Sequence, residues 1–353
     1  MTTEKSTTAN DSASKSPKRP TLKDIAFMTG LGVTTVSRAL NDASDISEST
    51  KERVRLIAKQ IGYRPNRAGV RLRTGKTNVV SLILGTEPGP MGMAAPFVAS
   101  ISEYLRDTNY HLVVTPYHLS QDPMEPVKYV VETGAADGII LSRTIPNDPR
   151  IKYLSEVGFP FVTHGRTDMG IEHAFFDFDN EAYSKQAVGI LADRGRESIG
   201  LIAPPANLTF SQHLTTGFAA EIATRDLLEI PIRKVSIDSE FEDIQEEIER
   251  ILRSRHPVDG IICASANAAI AALAAVTATD MVLGKDIDIV AKESFDLLNH
   301  IRPDMIVIRE DFLAAGSALV EMLLKIIGGE SPKLHQVLQI PLDEAGGLKT
   351  IHI

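Results

Sequence analysis

TLKDIAFMTGLGVTTVSRALN, residues 21–41, is followed by SESTKERV at 47–54 and GYRPNRAGVRLRTGKT at 62–77. Thr21-Leu22-Lys23-Asp24 fits a helix start: a Thr hydroxyl can accept from an exposed backbone N–H, and an Asp three residues on sits well against the helix dipole. A first helix is expected to run to about Thr29, with Gly30 supplying a turn. Val33 to Leu40 follows as a second short helix, whose spacing turns Val36 and Leu40 inward and leaves Thr34, Thr35, Ser37 and Arg38 outside. Two short helices on a tight glycine turn make a helix-turn-helix. Ser47 opens a third helix, in which Val54, Ile57, Ala58 and Ile61 form the stripe that packs across the first two, and Gly62 and Pro65 close it.

Charge separates this head from the rest of the chain. The 353 residues carry a net −9. Between Lys18 and Lys76, however, 13 Lys or Arg face five Asp or Glu, an excess of +8, so the remainder carries −17. A basic head on an acidic body is the asymmetry expected when one module meets phosphate and the other does something else, although a solvated basic face gives the same count.

The combination of T-V-S-R-x-L-N with G-Y-x-P-N is far more specific than a generic basic helix. Over Thr21 to Thr77 the chain resembles the head of the lactose-repressor/galactose-repressor family. The resemblance implies that the second helix lies in the major groove, with Val33, Thr34 and Arg38 where the family reads base edges, and Thr21, Ser37, Asn41, Ser47 and Thr50 where it grips phosphates. The chemistry agrees: Arg can donate a bidentate pair to guanine, Val and Thr offer methyl contact to thymine, and hydroxyls fix register on phosphate oxygens. For Ser47, helix capping is an equal alternative, and one oxygen can do both. Asn66 to Arg73 resembles the hinge helix, with Asn66 as cap, Arg67, Arg71 and Arg73 as phosphate partners, and Leu72 as a minor-groove wedge. So short a helix should order only when two copies meet on DNA. Gly69 stands where the family usually has alanine, and glycine costs about 1 kcal/mol more inside a helix, so the hinge is expected to be looser. Gly32 stands where serine is common.

Other chemistries are excluded. The Gly-Lys-Thr ending of Gly69 to Thr77 imitates a phosphate-binding loop, but five residues separate Gly69 from Gly75 where that motif needs four, and an Arg-rich segment precedes it instead of an apolar strand. Cys263 is the single cysteine, so no internal disulfide or multi-cysteine cluster can form, and its expected role is that of a small buried hydrophobe in a reducing, cytoplasmic setting. No run approaches the roughly 20 apolar residues that span a bilayer. Met1 to Pro17, with eight Ser or Thr, has no signal-peptide core and reads as a disordered tail over residues 1–18. No metal-ligand set, nucleophile elbow or dinucleotide loop stands in context, so neither catalysis nor a metal or other cofactor is expected.

From Asn78 onward, VVSLIL, HLVVT, DGIIL, FPFVTH, HAFFDF, SIGLIA, DGIICA, IDIVA and MIVI alternate with helical patterns, the rhythm of parallel sheets covered by helices. Ligands in such folds sit beyond the carboxyl ends of the strands. The family resemblance, looser here, implies a two-lobed periplasmic-binding-protein-like body over 77–353. Its N-lobe is expected at about 77–177 and 310–334, and its C-lobe at about 178–309 and 335–353, behind a helix-turn-helix at 19–64 and a hinge and linker at 65–76. Strand ends nominate Arg143, His164, Arg166, His213, Ser265, Lys292 and Glu293 as pocket residues, with Met91 and Phe97 as an apolar floor; a solvated rim or inter-lobe ion pairs would place charges in the same positions. Asp179 reads as the N-cap of a helix to Asp193. Three departures mark a differently built pocket. The arginine the family often places before Gly217-Phe218 is missing, Glu293 replaces the usual Asp, and Lys292 stands where an aromatic is common. His164-Gly165-Arg166 and Arg143 are expected to take over the arginine's work.

The expected function is a sequence-specific transcriptional repressor, a homodimer on a palindromic double-stranded operator, controlled by a small sugar such as an α-glucoside and regulating carbohydrate uptake and catabolism. Corepression by a non-sugar metabolite is the alternative. A transport binding protein shares the body but needs a signal peptide and no basic head. The tail after Leu334 lacks a leucine heptad, which favours a dimer over a tetramer.

Overall fold

The computed structural model describes residues 20–63, 71, 75–86, 94–294, 297–341 and 348–353, and divides into two compact units between Thr77 and Asn78. The first unit is helical. Thr21 starts α1 (Leu22–Thr29) in a capping box with Asp24, donating both its backbone N–H and its hydroxyl to the Asp24 carboxylate, each at 2.7 Å. Gly30 ends the helix at φ +71°, in the left-handed region that glycine enters without penalty. Two further helices, α2 (Val33–Leu40) and α3 (Glu48–Gln60), complete the unit's helical core. Ile25, Ala26, Val36, Ala39, Val54 and Ala58 form that core, with Leu40, Ile57 and Ile61 half-buried around it. Arg53 donates to the Thr29 carbonyl and ties α3 to the end of α1. The expected tail, Pro65, and the hinge residues Asn66, Arg67, Leu72 and Arg73 lie outside the described residues. Arg71 is helical, and its carbonyl accepts the Gly75 N–H at 2.8 Å.

The second unit holds two sheets. β1 (Val79–Thr86), α4 (Ala94–Leu105), β2 (His111–His118), α5 (Met124–Thr133), β3 (Gly138–Leu141), α6 (Pro149–Glu156), β4 (Phe161–His164) and β5 (Ala174–Phe178) build the first. The chain then makes α7 (Asn180–Asp193), β6 (Ser198–Ile202), α8 (Thr209–Thr224), β7 (Leu228–Glu229), α9 (Phe241–Leu252), β8 (Gly260–Cys263), α10 (Ala266–Ala278), β9 (Asp288–Glu293), α11 (Leu297–Ile301) and β10 (Ile306–Arg309). It returns through α12 (Phe312–Ile327) to β11 (Gln336–Pro341) and β12 (Leu348–His352). The strand orders are β12-β11-β5-β4-β3-β1-β2 and β10-β9-β8-β6-β7, parallel throughout except for the β11–β12 pair.

Alternation along the central strands feeds a core on both faces of each sheet. In β1, Val80, Leu82 and Leu84 join Phe97, Ile101 and Leu319 beneath α4 and α12, whereas Val79 and Ile83 join Val127 and Ile151 beneath α5 and α6. In β8, Ile261 and Cys263 pack under α9 and α10, and Ile262 under α7 and α8. This is why the strands read as unbroken apolar runs rather than alternating ones.

The lobe boundaries require one correction. Residues 335–353 were expected in the second lobe, but β11 pairs with β5 in register Gln339↔Phe178, and β12 pairs with β11, so both extend the first sheet. The chain crosses between the sheets at 178–180 and again at 309–312. One residue fastens both crossings: the buried Gln339 accepts the Asp179 N–H on its carbonyl at 2.8 Å and the Asp311 N–H on its side-chain oxygen at 2.9 Å. Among the described residues no helix is long and apolar enough to cross a membrane.

Candidate nucleic-acid interface and ligand site

On α2 the residues expected to read bases share the outer surface: Val33, Thr34 and Arg38 are exposed and Ser37 is half-buried beside them. The core takes Val36 and Ala39 from the opposite side. Arg38 is already engaged, with Nη2 2.5 Å from Asp45 Oδ1, so it must leave that carboxylate to reach a base. The Asn41 amide donates to the Ser37 carbonyl and closes the end of α2. Ser47 Oγ accepts the Thr50 N–H at 3.4 Å and lies 2.8 Å from the Thr50 hydroxyl, so in the chain by itself these two groups cap α3. Asp42 and Glu48 neutralise Lys51 and Arg55 within the unit.

In the second unit the strand ends of the two sheets surround a cavity that is in part open to solvent. Of the nine residues expected there, five line it: Arg143, His164, Ser265, Lys292 and Glu293. Arg166 instead turns onto Asp177, Nε to Oδ2 2.6 Å, and fixes a lining carboxylate from behind. Phe97 is fully buried behind the wall, packed edge-on to His164 at 5.1 Å between ring centres and tilted against Phe312 at 5.6 Å. His213, on α8, does not line the cavity, and Met91 lies outside the described residues.

The lining also includes Asp177, Asn180, Phe210, Asp238, Asn267, Glu310 and Phe312, which were not among the residues expected there. Two of these do carry a strand-end signal: Asp177 belongs to HAFFDF and Glu310 comes just after MIVI, so both sit at strand ends. Asp238 has no such signature, because it stands in the loop between β7 and α9 and reaches the cavity only through packing of the sheets.

The geometry joins the two lobes by charge. Arg143, held at φ +55°, a conformation uncommon for a residue with a Cβ, donates through both terminal nitrogens to the carboxylate of Asp238. Nearby, the Thr209 N–H donates to the Thr144 carbonyl at 2.9 Å, a second link between the lobes. The floor is made from the crossings. Lys292, at the end of β9, places its ammonium 3.0 Å from Asn180 Oδ1 and 2.7 Å from Glu310 Oε2, and lies 5.3, 5.5 and 5.9 Å from the ring centres of Phe178, Phe210 and Tyr183. Asn180 belongs to the first crossing and Glu310 to the second. His164 Nε2 stands 3.6 Å from Glu310 Oε1, too far for a hydrogen bond. Burial pulls the His164 imidazole below its ordinary value, against the pull of Glu310 and Asp177, and so disfavours the charged ring. Glu293 accepts the Leu297 and Leu298 N–H groups, at 2.8 and 2.9 Å, and so starts α11.

Residues 21–66 match the lacI family of bacterial regulatory proteins, and residues 188–344 match the periplasmic binding protein-like domain. The HTH-type transcriptional regulator AglR of Rhizobium meliloti is 30% identical over 317 residues, covering 87% of each chain. The chain belongs to the LacI family. Two solved structures share its fold. The lac repressor dimer bound to operator and the anti-inducer ONPF is 20% identical, with a TM-score of 0.80 over 95% of this chain and 98% of that one. The complex of the transcriptional regulator CelR with cellobiose is 22% identical, with a TM-score of 0.65 over 95% and 99%. The relatives carry the names of transcriptional regulators and repressors, and the family is one of regulators, not of enzymes.

Proposed function

We propose that this LacI-family regulator is a repressor that binds a palindromic operator as a homodimer in the cytoplasm and is controlled by a small sugar in the cavity between its two sheets. Val33, Thr34 and Arg38 would read bases, while Thr21, Ser37, Asn41, Ser47, Thr50 and the hinge residues Asn66, Arg67, Arg71 and Leu72 would position the protein on the duplex. A two-fold dimer matches two half-sites spaced by helical turns.

The observation that carries the control mechanism is the floor of the cavity, where Lys292 meets Asn180 from one crossing and Glu310 from the other. A ligand that engages this cluster touches the two segments about which the lobes move, and differential affinity for two lobe arrangements is what couples binding sites. Phe210 and Phe312 offer apolar faces beside carboxylates and amides, a combination suited to the faces and hydroxyls of a sugar ring. The CelR complex with cellobiose, on the same fold, supports the sugar class. An oligosaccharide such as an α-glucoside would place further hydroxyls near Arg143 and Asp238.

A gel shift with DNA selected from a random pool, repeated over a panel of mono- and disaccharides, tests this. The expected result is salt-sensitive binding to a palindrome, released by one sugar. Binding strengthened by a metabolite and released by no sugar would replace induction with corepression. No affinity for any duplex would end the proposal.

A further inference from the structure

Among the described residues, every cation at the ligand cavity is matched with a carboxylate of the chain itself: Arg143 with Asp238, Lys292 with Glu310, and Arg166, from behind, with Asp177. A fourth carboxylate, Glu293, also lines the cavity and has backbone N–H groups rather than a cation as its partners. The charge facing a ligand is therefore negative, with four lining acids against two lining bases and Arg166 behind one of the acids, and burial disfavours the charged form of His164.

From this pairing we infer that the cavity takes an uncharged polyhydroxylated ligand and rejects phosphorylated and uronic sugars. The inference rests on the sugar reading proposed above and narrows it. Phosphate recognition needs cationic or backbone donors aimed at the anion. Here an entering phosphate would have to displace the half-buried Asp238 or the buried Glu310 from its partner and leave that carboxylate without one. It would do so beside Glu293, and like charges placed together oppose binding. A neutral sugar meets no such opposition. Its hydroxyls donate to the remaining lone pairs of the carboxylates, which accept only, and receive hydrogen bonds from the amides of Asn180 and Asn267.

The test is calorimetric titration of the full-length protein with matched pairs: cellobiose and cellobiose 6-phosphate, trehalose and trehalose 6-phosphate, maltose and maltose 6′-phosphate, galactose and galacturonate, with inorganic phosphate as competitor. The expected result is one neutral sugar that binds and an anionic counterpart weaker by roughly 100-fold or more, as like-charge opposition implies. Asp238→Asn, which releases Arg143, should narrow that gap by about tenfold, the scale of one charge-assisted hydrogen bond. An anionic sugar binding as tightly as its neutral partner, competition by inorganic phosphate, or no narrowing in Asp238→Asn would overturn the inference and leave the sugar reading standing. If no member of the panel binds while operator affinity is intact, the sugar reading itself fails.

Discussion

Arg38 shows how a single side chain can be committed before its partner arrives. Its ion pair with Asp45 is half-exposed on both sides, and such pairs contribute about 0–1 kcal/mol, so the pair is weak enough to be exchanged for guanine. Arg38→Ala should cost about 1 to 3 kcal/mol on the selected operator and relax preference at one base position, whereas Arg71→Ala should weaken all sequences alike. Asp45→Ala should tighten binding by up to about fivefold, the size of the competing pair. Fluorescence anisotropy on cognate and scrambled duplexes separates the three; equal losses on both duplexes for Arg38→Ala would remove it from base readout. Cys263 lies at the opposite extreme. It is fully buried and its thiol is pushed far up by desolvation, so a thiol reagent should leave the folded protein unmodified and label it only in denaturant. That role was legible from composition, because one cysteine has no intramolecular partner. The Arg38–Asp45 pair was not, since nothing local says which carboxylate a long side chain will find.

At the level of elements, the helices of the head were legible almost to the residue because their signals are local: an Asp three places after Thr21, a glycine at 30, a serine at 47. The nine apolar runs of the body became strands for a similar reason. Gln336–Pro341 and Leu348–His352 are not legible in this way, since glutamine, proline, lysine and threonine interrupt them, the first takes its strand character from β5, a partner far away in sequence, and the second forms only against the first. The packing of α7 on α8 is another contact that no local pattern announces. A Cβ on Gly217 would stand inside contact distance of the Glu181 carbonyl oxygen and Ser184 Oγ, so the two helices touch backbone to backbone. Gly217→Ala should therefore lower stability by about 1–3 kcal/mol, the usual penalty of overpacking. At Gly316, between α12 and α4, the nearest atom is the movable Ser100 hydroxyl, and Gly316→Ala should cost less. Urea titrations of the two variants give the ranking, and a reversed order would mean that the helices part more easily than the serine turns.

For the whole molecule, acid is the informative stress. Burial lowers the imidazoles of both His164 and His173, so the unfolded chain takes up protons that the folded chain refuses. Their contribution to stability is complete above the ordinary histidine value of about 6.5 and is lost as pH falls below it toward the depressed values. The urea midpoint should fall between pH 7.5 and pH 5, and His164→Gln should remove part of that fall; an unchanged slope would mean that the ring is solvated. The candidate site was half legible at this scale. Strand ends named the residues that a sheet delivers by itself, while Asp238, Phe210 and Asn180 come from loops and helix starts that only the folding together of two sheets brings inward.

Gln339 has a mechanical consequence. Because one residue grips both crossings, sliding of one sheet past the other would break its bonds to Asp179 and Asp311 together, while turning about it can keep both. The body should thus behave as a door on a single pintle. Displacements stay small near the pivot and grow with leverage toward the outer ends of the sheets, so a ligand pressing at the floor works on the short arm and its effect is read at the long one.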